Sequence, residues 1–382
     1  MRTLLDNDLY KFTMMQAVRA QYPEAEAGYR FINRSPETTF SKACVEHLRA
    51  LVADYATALL TENELEYLAT LPFIRADFVA FLKGFQLQAG DIHIALDEGQ
   101  LAITLSGTWV NTILWEVPLM AMISQAYFAT DATEWPHELA PYVAKTAAKG
   151  QRLTENGCNF IEFGTRRRRS YPVQDAVLTG LTQSGVQCGG TSNLHFAMKY
   201  GLEPIGTMAH EWIMGHAGLF DVASANRRGL QAWIDFYDGR LDTALTDTYT
   251  TELFLENIQG NLAIRYDALR HDSECPFAFT DQVLAFYQRE GIDALQKGIV
   301  YSDSLNVDKA IEIERYAAGR IQTYYGIGTH LTNDFAGSPA LNMVIKLHTI
   351  NGIEVAKISD SPTKACGSQA AIKNALKIIN AR

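Results

Sequence analysis

KGIVYSDSL, residues 297–305, is an apolar run that closes on Ser-Asp-Ser and leads into a helix-like stretch at residues 306–318. The same order, a short apolar or alternating run with a polar end and then a helical segment, recurs along the second part of the chain. It is read in NFIEFGTRR (159–167), GVQCGGTSN (185–193), LEPIGTMAH (202–210), LDTALTDTY (241–249), YDALRHDS (266–273) and IQTYYGIGT (321–329). Intervening helices are expected at 172–184, 193–200, 224–237 and 280–290. Strands that alternate with helices pair in parallel, and seven such units imply a closed or nearly closed α/β barrel over residues 141–340. A doubly wound sheet is the alternative, but no GxGxxG follows the first strand. In a barrel the polar strand ends, here rich in Gly, Thr, Ser, Asp, Arg and His, converge on one rim where sites are assembled. Read singly, each is an ordinary turn or cap.

Working outward, residues 1–140 read as an α+β module. DNDLYKFTMMQAVRAQYP (6–23) is a helix with Asp6, Asn7 or Asp8 near its N-cap, stopped by Pro23. EAGYRFINR (26–34) is a strand, 43–60 and 61–71 carry a 3.6-residue period, and DIHIALDEGQLAITLSG (91–107) is a hairpin turned at 97–99. After the barrel, LNMVIKLHTINGIEVAKISD (341–360) holds an Asn351-Gly352 hairpin turn. An antiparallel hairpin fits poorly inside a parallel barrel, so residues 341–382 are assigned to the N-terminal module.

The chain has 382 residues, 33 Lys and Arg against 43 Asp and Glu, and a formal net charge of −10. That balance argues against nucleic acid as a main partner. Five scattered cysteines without a CxxC give no disulfide framework or structural zinc site, and fit a reducing cytoplasm. The N-terminus, with Asp6 and Asp8, lacks the apolar core of a signal peptide. The longest apolar stretch, 108–123, contains Asn111, Glu116 and Pro118 and reads as a buried helix rather than a membrane span.

Four stretches carry chemistry. EFGTRRRRS (162–170) places four arginines after a strand end in an acidic chain. As an extended segment it sets Arg166 and Arg168 on one side and Arg167 and Arg169 on the other. Guanidinium groups there could neutralise an anionic ligand, with Phe163 offering an aromatic face. YYGIGTHL (324–331) is a glycine-spaced loop whose backbone could approach a phosphate, though it lacks the ending of a P-loop. SDSL (302–305) supplies N-cap candidates, or a phosphate cradle at a helix N-terminus. ALRHDS (268–273) aligns Arg270 and Asp272 on one side, suited to phosphate and to ribose hydroxyls or Mg²⁺. In GTMAHEW (206–212), His210 stands beside Glu211, and His216 follows six residues later instead of the four that a zincin requires. Gly215 and Gly218 weaken a helix there, and a strand-end His beside a Glu suits an activated imidazole, either general base or covalent nucleophile.

Taken together and in this order, LLDNDLYKFTMMQA, YRFINRS, EFGTRRR, GGTSN, GTMAHEW, YDALRHDS, YGIGTHL and NMVIKLHTINGIEVAKISDSP resemble the nicotinate phosphoribosyltransferase family, over essentially the whole chain. The resemblance implies a type II phosphoribosyltransferase: an N-terminal α+β domain and an irregular α/β barrel. It implies an ATP-dependent enzyme, formally a ligase, of NAD salvage. Nicotinate and 5-phosphoribosyl-1-pyrophosphate would give nicotinate mononucleotide and pyrophosphate, with Mg²⁺ carried by the phosphates and Asp272 a possible ligand. It also implies that His210 is transiently phosphorylated by ATP, with Glu211 assisting. Phe163 would stack on the pyridine ring, Tyr10 of a neighbouring subunit would cover its other face, and Arg166 would meet the anionic substrate. Ser192, next to Thr191, stands where nicotinamide-using relatives carry Asp. Arg270 and Asp272 would hold the phosphoribosyl and pyrophosphate groups, and Ser302, Asp303, Gly326, Gly328 and Thr329 the 5′-phosphate. A homodimer with shared sites follows from the same resemblance. One departure is DSEC (272–275), where the family commonly reads DSGD. The alternatives are a non-catalytic ligand-binding relative, or a barrel metallohydrolase built on His195, His210, His216 and Asp272.

Overall fold

The computed structural model describes residues 3–183 and 185–381. The chain divides into two compact units, one of Met1–Arg152, Ile161–Ile205 and Ile327–Lys346, the other of Leu153–Phe160, Gly206–Gly326 and Leu347–Arg382.

In the first unit the leading helix is Leu9–Gln21, which ends just before Pro23. Helix Lys42–Ala56 is capped by Ser41, and Glu62–Thr70 by a capping box in which Thr61 and Glu64 satisfy one another's backbone N–H groups. Strands β1 (Glu26–Asn33), β2 (Ile92–Asp97) and β3 (Gln100–Thr108) are antiparallel, Glu26 facing Thr108 and Asp97 facing Gln100. The β2–β3 turn is Glu98-Gly99, both at positive φ (46° and 81°), as a tight hairpin requires. Along β3 buried and exposed residues alternate through Ser106, so one face meets the core. The apolar stretch after β3 folds into Trp109–Thr112 and Glu116–Thr130, nearly all of it buried. Strands β4 (Phe160–Glu162) and β5 (Cys188–Thr191) are neighbours in a second sheet. Between them lies helix Tyr171–Leu181; the expected end of that helix, Ser184, is outside the described residues.

In the second unit β6 (Thr243–Leu245), β7 (Ala268–His271), β8 (Gly298–Tyr301) and β9 (Gln322–Ile327) run in parallel, in that order. Leu245 faces Arg270, Arg270 faces Val300 and Val300 faces Tyr324. This register brings the residues just beyond β6, β7 and β8 to one edge. Helices Pro276–Glu290 and Val307–Ala317 make the crossovers from β7 to β8 and from β8 to β9. Strand β8 is buried throughout, as a parallel strand covered on both faces must be. The hairpin is β10 (Met343–Ile350) and β11 (Ile353–Glu354), turned at Asn351-Gly352 with φ of 49° and 76°.

Several expectations are corrected. LEPIGTMAH is not a strand: it makes one isolated bridge, Thr191 to Pro204, because Pro204 has no N–H with which to extend a ladder. His210 therefore opens a helix, His210–Leu219, instead of closing a strand. Its glycines do not prevent that helix. A Cβ on Gly218 would stand 2.8 Å from Ile350 Cβ, so glycine there permits close packing. The cap of Val307–Ala317 is Asn306, which accepts from Lys309 N–H, and not the Ser-Asp-Ser before it. Gly326 lies inside β9, leaving Gly328 as the glycine of the following turn.

Candidate active site

In the second unit the extended Ala209 delivers His210 to the N-terminus of its helix, with the imidazole buried. Adjacent helical residues diverge by about 100°, so Glu211, also buried, does not share the face of His210. Four other side chains converge on the ring. Nδ1 lies 3.1 Å from Thr248 Oγ1. Nε2 lies 3.0 Å from Asp272 Oδ2, 3.6 Å from Asp247 Oδ1 and 2.9 Å from Lys357 Nζ. Lys357 Nζ also meets Asp247 Oδ2 at 2.9 Å, an oxygen that accepts in addition from Ser359. Burial pushes the imidazole pKa down to about 4, the Lys357 charge adds to that, and the two aspartates only partly oppose it. His210 is therefore neutral at pH 7. Its nitrogen and the carboxylates of Asp247 and Asp272 lie within 4.8 Å of one another, close enough to hold a metal ion.

Asp272 joins this group to the next. Arg270 donates from Nε to Ser302 Oγ at 2.8 Å, from Nη1 to Thr207 Oγ1 at 2.7 Å, and approaches Asp272 Oδ1 at 3.4 Å. The Ser302 hydroxyl is 3.0 Å from Asp272 Oδ1. Burial would raise the Asp272 carboxyl, but the Arg270 guanidinium first, with the Lys357 ammonium behind it, holds it well below the usual range. Asp303 pairs with Lys364 at 2.5 Å, and Lys364 also donates to the Asp272 carbonyl. His210, Arg270, Asp272, Ser302 and Asp303 are thus brought together from two strand ends, those of β7 and β8, and a helix start. His216 is engaged elsewhere, its Nδ1 2.8 Å from the Trp212 carbonyl and its ring against that indole. In the first unit, His195 meets Tyr171 Oη at 2.9 Å. His216 is thus a core histidine and His195 is half-buried against Tyr171, so the group that could hold a metal is His210, Asp247 and Asp272 and not the four residues expected of a metallohydrolase.

A second cluster belongs to the first unit. Thr165–Arg167 forms a single 3-10 turn, so the four arginines do not alternate as an extended segment would. They divide instead by depth. Arg166 and Arg167 are half-buried, whereas Arg168 and Arg169 are buried. Arg168 forms a bidentate pair with Asp6 at 2.8 and 2.7 Å and also donates to Gln174. Arg169 lies over the Phe128 ring at 3.5 Å and donates to Asn333 and Ser338. Half-buried Phe163 stands just before this turn and half-buried Arg166 within it, 3.9 Å from Glu116. Glu162 organises the loop beneath them, accepting from Thr191 Oγ1, Gln174 Nε2 and Gly164 N–H, while burial pushes its carboxyl up to about 7. A Cβ on Gly164 would stand 2.3 Å from Thr332, so only glycine fits there. Ser192 donates to Asp8 Oδ1 at 2.8 Å. That contact explains why Asp8, although it is the N-cap residue of Leu9–Gln21, makes no side-chain cap bond. Tyr10 is buried in the first turn of the same helix. Gly328, where a Cβ would come within 3.1 Å of the Phe163 carbonyl oxygen, precedes the short helix Thr329–Thr332.

Comparison with known proteins gives these clusters a family. Family models match over residues 5–124, described as the nicotinate phosphoribosyltransferase (NAPRTase) N-terminal domain, and over 158–379, described as the nicotinate phosphoribosyltransferase (NAPRTase) family. The chain belongs to the nicotinate phosphoribosyltransferase family. It is 44% identical to nicotinate phosphoribosyltransferase of Methanosarcina acetivorans, across 99% of this chain and 98% of that one. The crystal structure of nicotinate phosphoribosyltransferase from Porphyromonas gingivalis superimposes with a TM-score of 0.95 at 36% identity, covering 100% of both chains. That from Vibrio cholerae gives 0.93 at 37% identity, covering 99% and 93%. The α/β architecture and enzymic nature of the chain follow from this membership. Among the described residues no helix is long and apolar enough to cross a membrane, and the cysteines are free thiols.

The DSEC segment, where the chain departs from the family's common DSGD, has a physical reading. Glu274 adopts φ 67°, a left-handed conformation in which a side chain is strained and glycine is not. Cys275 is the N-cap residue of Pro276–Glu290 and makes no side-chain cap bond. Replacing Glu274 by Gly and Cys275 by Asp should therefore stabilise the protein by about 1 kcal/mol each, read as a shift in urea midpoint at unchanged slope. No shift for either would show that the loop is not strained as its backbone implies. The groups missed in the sequence are Lys357, Asp247, Thr248 and Glu162. Lys357 lies 147 residues from His210, so no local spacing could reveal it, although KISDSP was among the stretches that carried the resemblance.

Proposed function

We propose that this member of the family joins nicotinate to 5-phosphoribosyl-1-pyrophosphate, giving nicotinate mononucleotide and pyrophosphate, and couples the reaction to ATP hydrolysis through a phosphohistidine at His210. The observation that carries this reading is a buried, neutral imidazole ringed by two carboxylates, an ammonium and a hydroxyl. A neutral imidazole is a nucleophile. Its nitrogen attacks the γ-phosphorus, the bond to the β-phosphate oxygen breaks, and ADP departs with that electron pair.

Arg270, held by Ser302 and Thr207, presents a fixed guanidinium for the phosphoribosyl or pyrophosphate group. Departure of pyrophosphate leaves positive charge on the ribose, so the rate depends on neutralising the leaving group and aligning the ring nitrogen. Mg²⁺ would be carried in on the phosphates and would supply part of that neutralisation; Asp272, whose side chain is 23% exposed, is the carboxylate able to meet it. Ser302 and Asp303 are proposed to line the 5′-phosphate site, with Gly326, Gly328 and Thr329 shaping the turn after β9. Phe163 is proposed to stack on the pyridine ring, Tyr10 of a second subunit to cover it, and Arg166 to meet its carboxylate. Ser192 and Thr191 would admit that carboxylate where an aspartate would repel it. This reading includes a homodimer with shared sites and a division of the chain into a domain of residues 1–140 with 341–382 and a barrel of 141–340. Incubation with nicotinate, phosphoribosyl pyrophosphate, Mg²⁺ and ATP should yield nicotinate mononucleotide, with nicotinamide and quinolinate as poor competitors. Absence of product at high enzyme concentration would refute the proposal.

A further inference from the structure

His210 Nε2 has two neighbours that make opposite demands on it. Lys357 Nζ, at 2.9 Å, is only a donor and requires a lone pair on the ring nitrogen. Asp272 Oδ2, at 3.0 Å, is an acceptor when ionised and requires an N–H there. Depth decides between them. The side chains of Lys357 and Asp247 are 5% and 1% exposed and locked together, while Asp272 is 23% exposed, is already supported by Arg270 and Ser302, and can turn toward water. Thr248 serves either outcome, since its hydroxyl can accept from Nδ1–H or donate to bare Nδ1.

The position of the ammonium carries the argument further. His210 and the two aspartates look like a metal centre by composition, with their ligand atoms within 4.8 Å of one another. Lys357 Nζ is 2.9 Å from both His210 Nε2 and Asp247 Oδ2, which is where a cation bound to those groups would lie. A divalent ion and an ammonium cannot share that volume, and at such separations their repulsion is large in any medium.

We infer that the Lys357 ammonium is the resident cation between His210 and Asp247: it keeps a metal ion from binding these two groups, leaving the more exposed Asp272 free to meet one carried on a phosphate, and fixes His210 as the tautomer with Nδ1 protonated and Nε2 bare. Lys357 is then a positioning residue for the nucleophile. It also stands beside the nitrogen that would receive a phosphoryl group, ready to transfer its hydrogen bond to a phosphoryl oxygen. The Nδ1 proton stays on the ring toward Thr248, so the new N–P bond needs no other proton acceptor. Only this last use of the lone pair rests on the phosphohistidine reading; the tautomer and the exclusion of metal do not.

The test uses the full-length enzyme. With histidine labelled by ¹⁵N, the wild-type His210 should show Nδ1–H and an unprotonated Nε2, and Lys357→Met should reverse the pattern. Titration with Zn²⁺ or Mn²⁺ should give the same binding for wild type and His210→Ala. Lys357→Ala, which removes the ammonium and opens space, should gain a site about 100-fold or more tighter that disappears in Lys357→Ala/His210→Ala. A wild-type Nε2–H tautomer, His210-dependent metal binding by the wild type, or a folded Lys357→Ala that gains no metal would each overturn the inference. Should neither Lys357 variant fold, the two wild-type measurements decide alone. Absence of phosphorylation in the wild type would instead strike the phosphohistidine reading and leave the inference on Lys357 standing.

Discussion

Replacing His210 by alanine should abolish acid-labile phosphorylation from ATP and all ATP stimulation, while leaving the slow joining of nicotinate to the phosphoribosyl group within about tenfold of the unstimulated wild type. The split follows from what the side chain touches. His210 contacts Thr248, Asp272, Asp247 and Lys357, whereas Arg270 is held by Ser302 and Thr207 and keeps its place without the imidazole. Loss of the ring therefore removes the phosphoryl acceptor and leaves the guanidinium that neutralises the leaving group. The measurement is incorporation of γ-phosphate from labelled ATP, together with product formation at saturating nicotinate with and without ATP. Label retained by the alanine variant would move phosphorylation to another residue. A loss of several hundredfold in the ATP-free rate would mean that His210 also supports the glycosyl transfer itself.

Much of the fold was legible because local chemistry leaves few options. Asn351-Gly352 reads as a hairpin turn because both residues must take positive φ, and they do. Six of the seven expected barrel strands form, each a short apolar run with a helix or loop behind it. The seventh does not form, because Pro204 interrupts its apolar pattern and cannot donate to a ladder. The site was legible in a different measure. Arg270, Asp272 and Ser302 converge because strand ends in register converge, and the parallel order supplies that register. Lys357 and Asp247 reach His210 through long-range packing, which no spacing rule encodes. The arginine run misled for a related reason. Alternation assumes an extended chain, and a single 3-10 turn at Thr165–Arg167 sorts the four side chains by depth instead.

That sorting leads to the largest stability effect expected here. Arg168→Ala should cost about 3–5 kcal/mol, because it leaves Asp6, fully buried, as an unpaired carboxylate in the core. Burial alone would raise the Asp6 carboxyl; the Arg168 guanidinium outweighs it by charge and hydrogen bonding and holds the pKa below its ordinary value. Asp6 thus folds ionised, and its stabilising contribution is present above the unfolded pKa and is lost as pH falls through the lower folded value. Removing the guanidinium reverses the shift: burial then raises the carboxyl, and the variant should lose stability as pH rises above about 4 instead of gaining it. Urea unfolding at several pH values reads both the loss and its sign. By contrast, Lys83→Ala, which breaks a pair with Glu62 at 2.9 Å where both side chains are about two-thirds exposed, should change stability by less than about 1 kcal/mol. The double replacement Asp6→Leu with Arg168→Met should recover most of the loss, since an apolar pair removes both the charge and its desolvation cost. If Arg168→Ala were no more harmful than Lys83→Ala, the guanidinium would not be what keeps Asp6 ionised, and Gln174 and Asn193, which also border the pair, would have to satisfy that carboxylate unaided.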